Sequence, residues 1–311
     1  MSGSELSQMR AWLMAARPQT LPAAAAPIFV GVGLAWNDGV FAFFPALAAF
    51  VGAALIQIGT NFANDYYDAI QGADTDAREG FTRVTQSGLI EPPQVKRAMY
   101  LTFVAAILVG SYLVYIGGLP ILIIGLLSVI SGIAYTGGPY PLGYHGLGDL
   151  FVFVFFGVIA VMGTYYVQAA AVLAAPLSVS IPPETVTVAA FVASLPVAAI
   201  STNILVVNNI RDRKEDATTG KRTLAVRFGY RVSRAEYIGL FALAYLVPSW
   251  FWLAAGFSPA VLLPLLTLPL AVRVANTVRT ETAGVALNPA LETTGKLLAL
   301  YSLLFGVGLA L

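Results

Sequence analysis

"AFVGAALIQIGTNFANDYYDAIQGADTD", residues 49–76, is the stretch whose reading decides the fold. Its first part, to Thr60, carries no charge and suits the interior of a bilayer. The remainder, residues 61–76, holds four aspartates and two asparagines. A bilayer core takes about 20 apolar residues per helix, and like charges three or four positions apart on a helix repel. A membrane helix that ends in carboxylates therefore needs something to hold them together. The pattern recurs more than a hundred residues later in "NNIRDRKED", 208–216.

The rest of the chain agrees with a membrane setting. Of 311 residues, 58% are hydrophobic and 11% charged, against about 25% charged in soluble domains. Mean hydropathy is +0.78. No Lys, Arg, Asp or Glu occurs between Ala98 and His145 or between Tyr237 and Val272, and Glu184 is the single one from Leu150 to Ile210. A net charge of +1 gives no footprint for nucleic acid. The absence of cysteine excludes disulfides, thiolate metal sites and thiol catalysis. The segment "MSGSELSQMRAW" lacks the short apolar core and cleavage site of a secretory signal, so the first span is expected to be retained.

Turn punctuation predicts membrane helices at 18–36, 41–63, 97–116, 119–136, 148–170, 187–209, 233–255, 258–276 and 291–311. With nine spans, all 17 basic residues fall on the face shared by the N-terminus and the even-to-odd loops, which the positive-inside rule assigns to the cytoplasm. All acidic residues except Asp38 and Glu184 fall there too, although orientation does not require them. The expectation is a single all-α integral membrane domain over 1–311, with nine transmembrane helices and a cytoplasmic N-terminus.

Asn61, Asp65 and Asp68 share one helical face, as do Asn208, Asp212 and Asp216. Each set ends a membrane helix, the second and the sixth. Such charges can simply solvate helix ends. Their pairing on one side of the membrane favours another reading, in which Mg²⁺ ions sit between the clusters and a diphosphate, since Mg²⁺ takes few carboxylates and bridges to phosphate oxygens. Arg83 in "GFTRVTQSG" and Lys221 and Arg222 in "GKRT" are candidates to neutralise the remaining phosphate oxygens. "GKRT" is not a P-loop, because the upstream glycine spacing is missing.

The segment "YTGGPYPLGYHGLGD", 135–149, lies on the same face and has no Lys or Arg. Tyr135, His145 and Asp149 are candidate contacts to a substrate ring. Asp149 reads equally as the cap of the fifth helix, and His145 as an ordinary loop histidine. Arg17 either anchors the first helix at the interface or reaches into the chamber.

These residues resemble the two aspartate-rich motifs of the UbiA superfamily of intramembrane aromatic prenyltransferases. "RPQTLPAAAAPIFVG", "NDYYDAIQGAD", "YTGGPYPLGYHGLGD" with "FVFVFFG", and "DRKEDATTGKRTLAVRFG" resemble more narrowly the 1,4-dihydroxy-2-naphthoate prenyltransferases of menaquinone synthesis. The resemblance implies nine helices around a cavity open at the cytoplasmic side of the cell membrane. It implies that Asp65, Asp68, Asp212 and Asp216 hold Mg²⁺ against a polyprenyl diphosphate, supported by Asn61, Asn64, Asn208 and Asn209. A third aspartate of the first motif would fall at position 72, which is Gly here, leaving Asp74 as the nearest substitute. A lysine four residues after the family's helix-4 tyrosine is replaced by Pro139, so its role does not carry over. The reaction implied is prenylation of an aromatic ring with loss of diphosphate and CO₂. Other acceptors on the same scaffold (4-hydroxybenzoate, homogentisate, a glycerophospholipid precursor) are alternatives, and an ion transporter is a more distant one.

Overall fold

The computed structural model describes residues 8–70 and 84–311, and these form helices with no strand among them. We number the helices α1 (Gln8–Ala16), α2 (Leu21–Asn37), α3 (Phe43–Ile70), α4 (Pro92–Ala134), α5 (Gly148–Leu173), α6 (Val188–Thr218), α7 (Leu224–Leu253), α8 (Pro259–Thr280) and α9 (Gly284–Ala310). Eight stretches of the described residues are long and apolar enough to cross a membrane, with α1 and α2 together forming the first.

The eight stretches make nine spans because α4 is two helices. At 43 residues a straight α4 would reach roughly 65 Å, twice the thickness of a hydrocarbon core. It breaks instead at Gly118, where φ is 67° and ψ −152°, a backbone region open essentially to glycine alone. A Cβ there would lie 1.9 Å from the carbonyl oxygen of Ser178. The Leu119 N–H donates to that carbonyl at 2.8 Å, and Pro120 starts the second arm.

Helical stretches among the described residues thus correspond to the nine predicted helices, but several extend further than expected. The second runs to Ile70 rather than residue 63, and the sixth to Thr218 rather than 209. Both extensions carry the aspartates, which are helical and not in loops. Residues 224–232, expected in a loop, open α7, with a break at Gly229. The short α1 was not foreseen. Ala11 and Ala15 are buried on it, and Trp12 meets Phe62 of α3 edge-on at 5.9 Å.

The most buried span is α6. It packs against α5, α7 and α9, and α2 packs against α9, α5 and α3. The α2–α9 crossing is close because both helices offer glycine. A Cβ on Gly33 would fall 2.1 Å from the Gly306 carbonyl oxygen, and one on Gly306 would fall 2.3 Å from that of Phe29. Small residues permit this approach, which takes the place of a hydrophobic driving force in lipid. On the face opposite the aspartate clusters, the Tyr165 hydroxyl donates to Asp38 at 2.7 Å and ties α5 to the end of α2.

A cavity of about 450 Å³ lies among the first five spans, lined by residues of α2, α3, both arms of α4, and α5. Its wall is nearly all aliphatic and aromatic, and includes Phe151, Phe155 and Phe156. The segment Val152–Ile159 on this wall is π-helical, a form that often marks functional sites. The last four spans give the cavity no lining residue. They form the larger hydrophobic core with α2 and α5.

Candidate active site

The site is built where the end of α3, the end of α6 and the loop between α4 and α5 meet. Asp65 and Asp68 are 1% and 2% exposed, and Asp212 and Asp216 are 7% and 8% exposed. Four carboxylates so far from water need compensating charge and hydrogen bonds.

Asp65 receives the backbone N–H and the hydroxyl of Thr85 on Oδ2, at 3.1 and 2.5 Å. Its Oδ1 faces the Arg17 guanidinium at 3.8 Å. Arg17 holds a left-handed backbone, with φ 51° and ψ 67°. That is costly for a side chain other than glycine, and the position before a proline disfavours it further. The Thr20 hydroxyl, which donates to the Arg17 carbonyl at 2.9 Å, helps secure it. The Arg17 guanidinium thus lies beside the Asp65 carboxylate.

Asp68 accepts the Tyr144 hydroxyl at 2.9 Å and faces Lys221 Nζ at 3.8 Å, both at Oδ1. Lys221 also lies 4.7 Å above the Tyr144 ring, and its N–H donates to the Asp216 carbonyl. One lysine just past the end of α6 therefore reaches the carboxylate at the end of α3. The two acidic helix ends, far apart in sequence, face a common mouth.

Asp212 is held in a fork by its neighbour Arg211, Nε to Oδ1 at 2.6 Å and Nη2 to Oδ2 at 2.8 Å. The same guanidinium donates to Asn208 Oδ1 at 2.6 Å and to Asn288 Oδ1 on α9 at 2.8 Å. Asn64 Oδ1 accepts from the Thr136 hydroxyl at 2.9 Å. Asn61 donates to the Ala16 carbonyl and the Thr20 hydroxyl, both at 2.9 Å, so its amide ties α3 to the chain between α1 and α2.

In the α4–α5 loop the three predicted residues separate. Tyr135 lines the cavity at its mouth. Enclosure, followed by the carboxylates of Asp149, Asp68 and Asp216, pushes its phenol above the ordinary range, so it stays a neutral donor. Asp149 is buried in the first turn of α5 and accepts from Asn209 Nδ2 at 3.5 Å. It is not the cap, since that position belongs to Leu147. His145 is taken up by the loop: its Nδ1 donates to the Pro141 carbonyl at 2.8 Å, and its ring stacks on Tyr140 at 3.6 Å. Arg222 is exposed, and its N–H donates to the Tyr144 carbonyl at 2.8 Å. Arg83 and Asp74 lie outside the described residues.

Sequence reasoning passed over Thr85, Tyr144 and Arg211 as specific partners of the aspartates. All three lie in stretches singled out above, Thr85 in "GFTRVTQSG", Tyr144 in "YTGGPYPLGYHGLGD" and Arg211 in "NNIRDRKED", but nothing local marks their partners. Among the described residues no three metal-ligating side chains gather in one group. The donors that do gather are hard oxygens in two pairs, the set suited to a cation that shares its shell with a substrate.

This arrangement, an apolar chamber beneath a mouth of paired carboxylates and basic side chains, defines a multi-pass membrane protein equipped to hold a polar, anionic head above an apolar tail. Residues 24–287 match the UbiA prenyltransferase family, and the chain belongs to it. It is 38% identical to the 1,4-dihydroxy-2-naphthoate octaprenyltransferase of Escherichia coli K12, covering 100% of this chain and 98% of that protein. The fold is that of solved UbiA homologues. One from Aeropyrum pernix superposes with a TM-score of 0.68 at 14% identity, covering 92% of this chain and 96% of the other. One from Archaeoglobus fulgidus, bound to DMAPP and Mg²⁺, gives 0.63 at 16% identity, covering 96% and 98%.

Proposed function

We propose that the protein transfers a polyprenyl group from its diphosphate to 1,4-dihydroxy-2-naphthoate, releasing diphosphate and CO₂. The observation that carries the reading is Lys221, which spans from just past the end of α6 to Asp68 on α3, the helix whose Gln57 and Thr60 line the apolar cavity. The naphthoate acceptor rests on the likeness to the Escherichia coli enzyme over the whole chain.

Asp65, Asp68, Asp212 and Asp216 would hold Mg²⁺, as the oxygen donor set suits it. Bound there, it would supply positive charge to the diphosphate as that group departs. Arg17 and Lys221, each 3.8 Å from its carboxylate, are close enough to turn to phosphate oxygens, with Arg83 as a further candidate. Asn208 holds the Arg211 guanidinium that grips Asp212, Asn209 reaches Asp149, Asn64 meets Thr136 beside the first pair, and Asn61 fixes the chain next to Arg17. Tyr135 offers a neutral hydroxyl at the boundary between diphosphate and ring.

The allylic C–O bond breaks at the mouth, and the carbocation lies in a wall of aliphatic and aromatic side chains that excludes water. The ring carbon that bears the carboxylate attacks C1 of the chain. A C–C bond forms, the carboxylate leaves as CO₂, and its electron pair restores the aromatic ring. The active site faces the cytoplasm of the cell membrane, on the positive-inside argument.

The test uses purified protein in nanodiscs with Mg²⁺ and a long prenyl diphosphate, offered 1,4-dihydroxy-2-naphthoate and 4-hydroxybenzoate separately. A prenylated, decarboxylated naphthoate that is lost in Asp65→Ala/Asp212→Ala is the expected result. Product from 4-hydroxybenzoate alone overturns the acceptor, and no product from either overturns the reaction.

A further inference from the structure

Two residues of the cavity wall each carry a polar atom, enclosed within that wall, that the proposed chemistry has not used. Among the described residues, the buried side-chain atoms that lack a hydrogen-bond partner and belong to cavity-lining residues are Gln57 Oε1 and Thr60 Oγ1. Gln57 and Thr60 are 7% and 8% exposed. Leaving such atoms unpaired is costly, so each unsatisfied group in a folded protein calls for an explanation.

The Gln57 amide cannot simply turn round to relieve its oxygen. The Thr20 hydroxyl gives its proton to the Arg17 carbonyl, so its oxygen can only accept. It accepts from Gln57 Nε2 at 3.0 Å and from Asn61 Nδ2 at 2.9 Å. Reversing Gln57 would set two lone pairs against each other. Its NH₂ is therefore fixed toward Thr20, and Oε1 is left as an acceptor with nothing to accept. Thr60 Oγ1 sits against α4 at Gly132, where a Cβ would come within 2.7 Å of it.

Position gives these atoms a meaning. Gln57, Asn61, Asn64 and Asp68 lie along one face of α3, with Thr60 beside them, so the stripe that bears the carboxylates continues inward. Thr60 and Gln57 are roughly 7 and 12 Å along the helix axis from Asp65. An aromatic ring whose attacked carbon waits about 3 Å beyond the breaking C–O bond has its substituents near that depth. On that basis, and resting on the function proposed above, we infer that Gln57 and Thr60 form a subsite that reads a phenolic hydroxyl of the acceptor. When the ring binds, the wall opens at these two enclosed atoms: Gln57 Oε1 accepts the phenol's proton in a hydrogen bond, and the Thr60 hydroxyl serves the same edge of the ring. The subsite selects dihydroxylated rings over monohydroxylated ones.

The test compares 1,4-dihydroxy-2-naphthoate with 1-hydroxy-2-naphthoate in the wild type, Thr60→Val, Thr60→Ser and Gln57→Leu. Thr60 Oγ1 bonds nothing in the free protein, so valine costs no hydrogen bond, and thermal stability should stay at or above that of the wild type. Thr60→Val should nevertheless raise the KM for the dihydroxy acceptor about tenfold, with the KM for prenyl diphosphate within twofold. The preference for the dihydroxy ring should shrink by the same factor, and Thr60→Ser should restore it. Gln57→Leu should do the same more strongly. Prenylation that proceeds with acceptor KM and preference unchanged in both variants would overturn the subsite while leaving the reaction in place. Wild-type protein that prenylates neither naphthoate overturns the reaction and the subsite together.

Discussion

Arg211→Met tests whether the second acidic cluster depends on its own arginine. The guanidinium holds Asp212 in a two-point fork and also binds Asn208 and Asn288. Both Arg211 and Asp212 are 7% exposed, so removing the cation leaves a carboxylate shut away from water. Breaking a buried pair from one side costs about 3–5 kcal/mol. At the lower end of that range the expected loss is about 3 kcal/mol. At roughly 2 °C per kcal/mol for a chain of this size, the midpoint should fall by about 6 °C. The assay is thermal unfolding in detergent followed by tryptophan fluorescence. The Arg211→Met/Asp212→Leu variant removes both partners and should recover most of the loss, giving a coupling energy of about 2–3 kcal/mol. It should stay inactive, because Asp212 is gone. A midpoint within 1 °C of wild type for Arg211→Met, or losses that merely add in the double variant, would refute the argument.

Three further outcomes follow from other contacts. Gly118→Ala combines a glycine-only backbone with a clash against Ser178; it should cost at least about 3 kcal/mol, read as a collapse in the yield of monodisperse protein on size-exclusion chromatography. Tyr144→Phe removes the hydroxyl bonded to Asp68 but keeps the ring beneath Lys221. A hydrogen bond to a charged group contributes about 1.5–3 kcal/mol, so kcat/KM for prenyl diphosphate should drop at least tenfold, and an unchanged value would remove Tyr144 from the site. Thr85→Val loses the 2.5 Å hydroxyl contact to Asp65 but keeps the backbone one. It should lower activity while Thr85→Ser preserves it, and equal activity in the two would show that the backbone N–H suffices.

Much of the site was legible because the chemistry sits in short, local patterns. The spacing of Asp65 with Asp68 and of Asp212 with Asp216 places each pair on one helical face, whatever surrounds it. Their company of asparagines at the ends of apolar runs pointed to a polar mouth on a membrane chamber. The partners of these aspartates were not legible. Tyr144 is 76 positions from Asp68, and Asn288 is 77 from Arg211. No periodicity links residues so distant, and only packing brings them together.

The same division holds for the chain as a whole. Its sequence by itself determined that it is a multi-pass helical chain and that carboxylates gather near the ends of two of its helices. Those properties follow from apolar length and from a period of 3.6 residues, both of which are local. Tertiary structure alone decided that Asp149 takes Asn209 rather than capping a helix and that His145 serves its own loop. It alone decided that Arg17 turns a left-handed backbone toward Asp65, and that Gln57 keeps an oxygen with nothing to accept. Each of these depends on which lone pair or proton is already taken by a neighbour from another helix. That neighbour is fixed only when the helices pack.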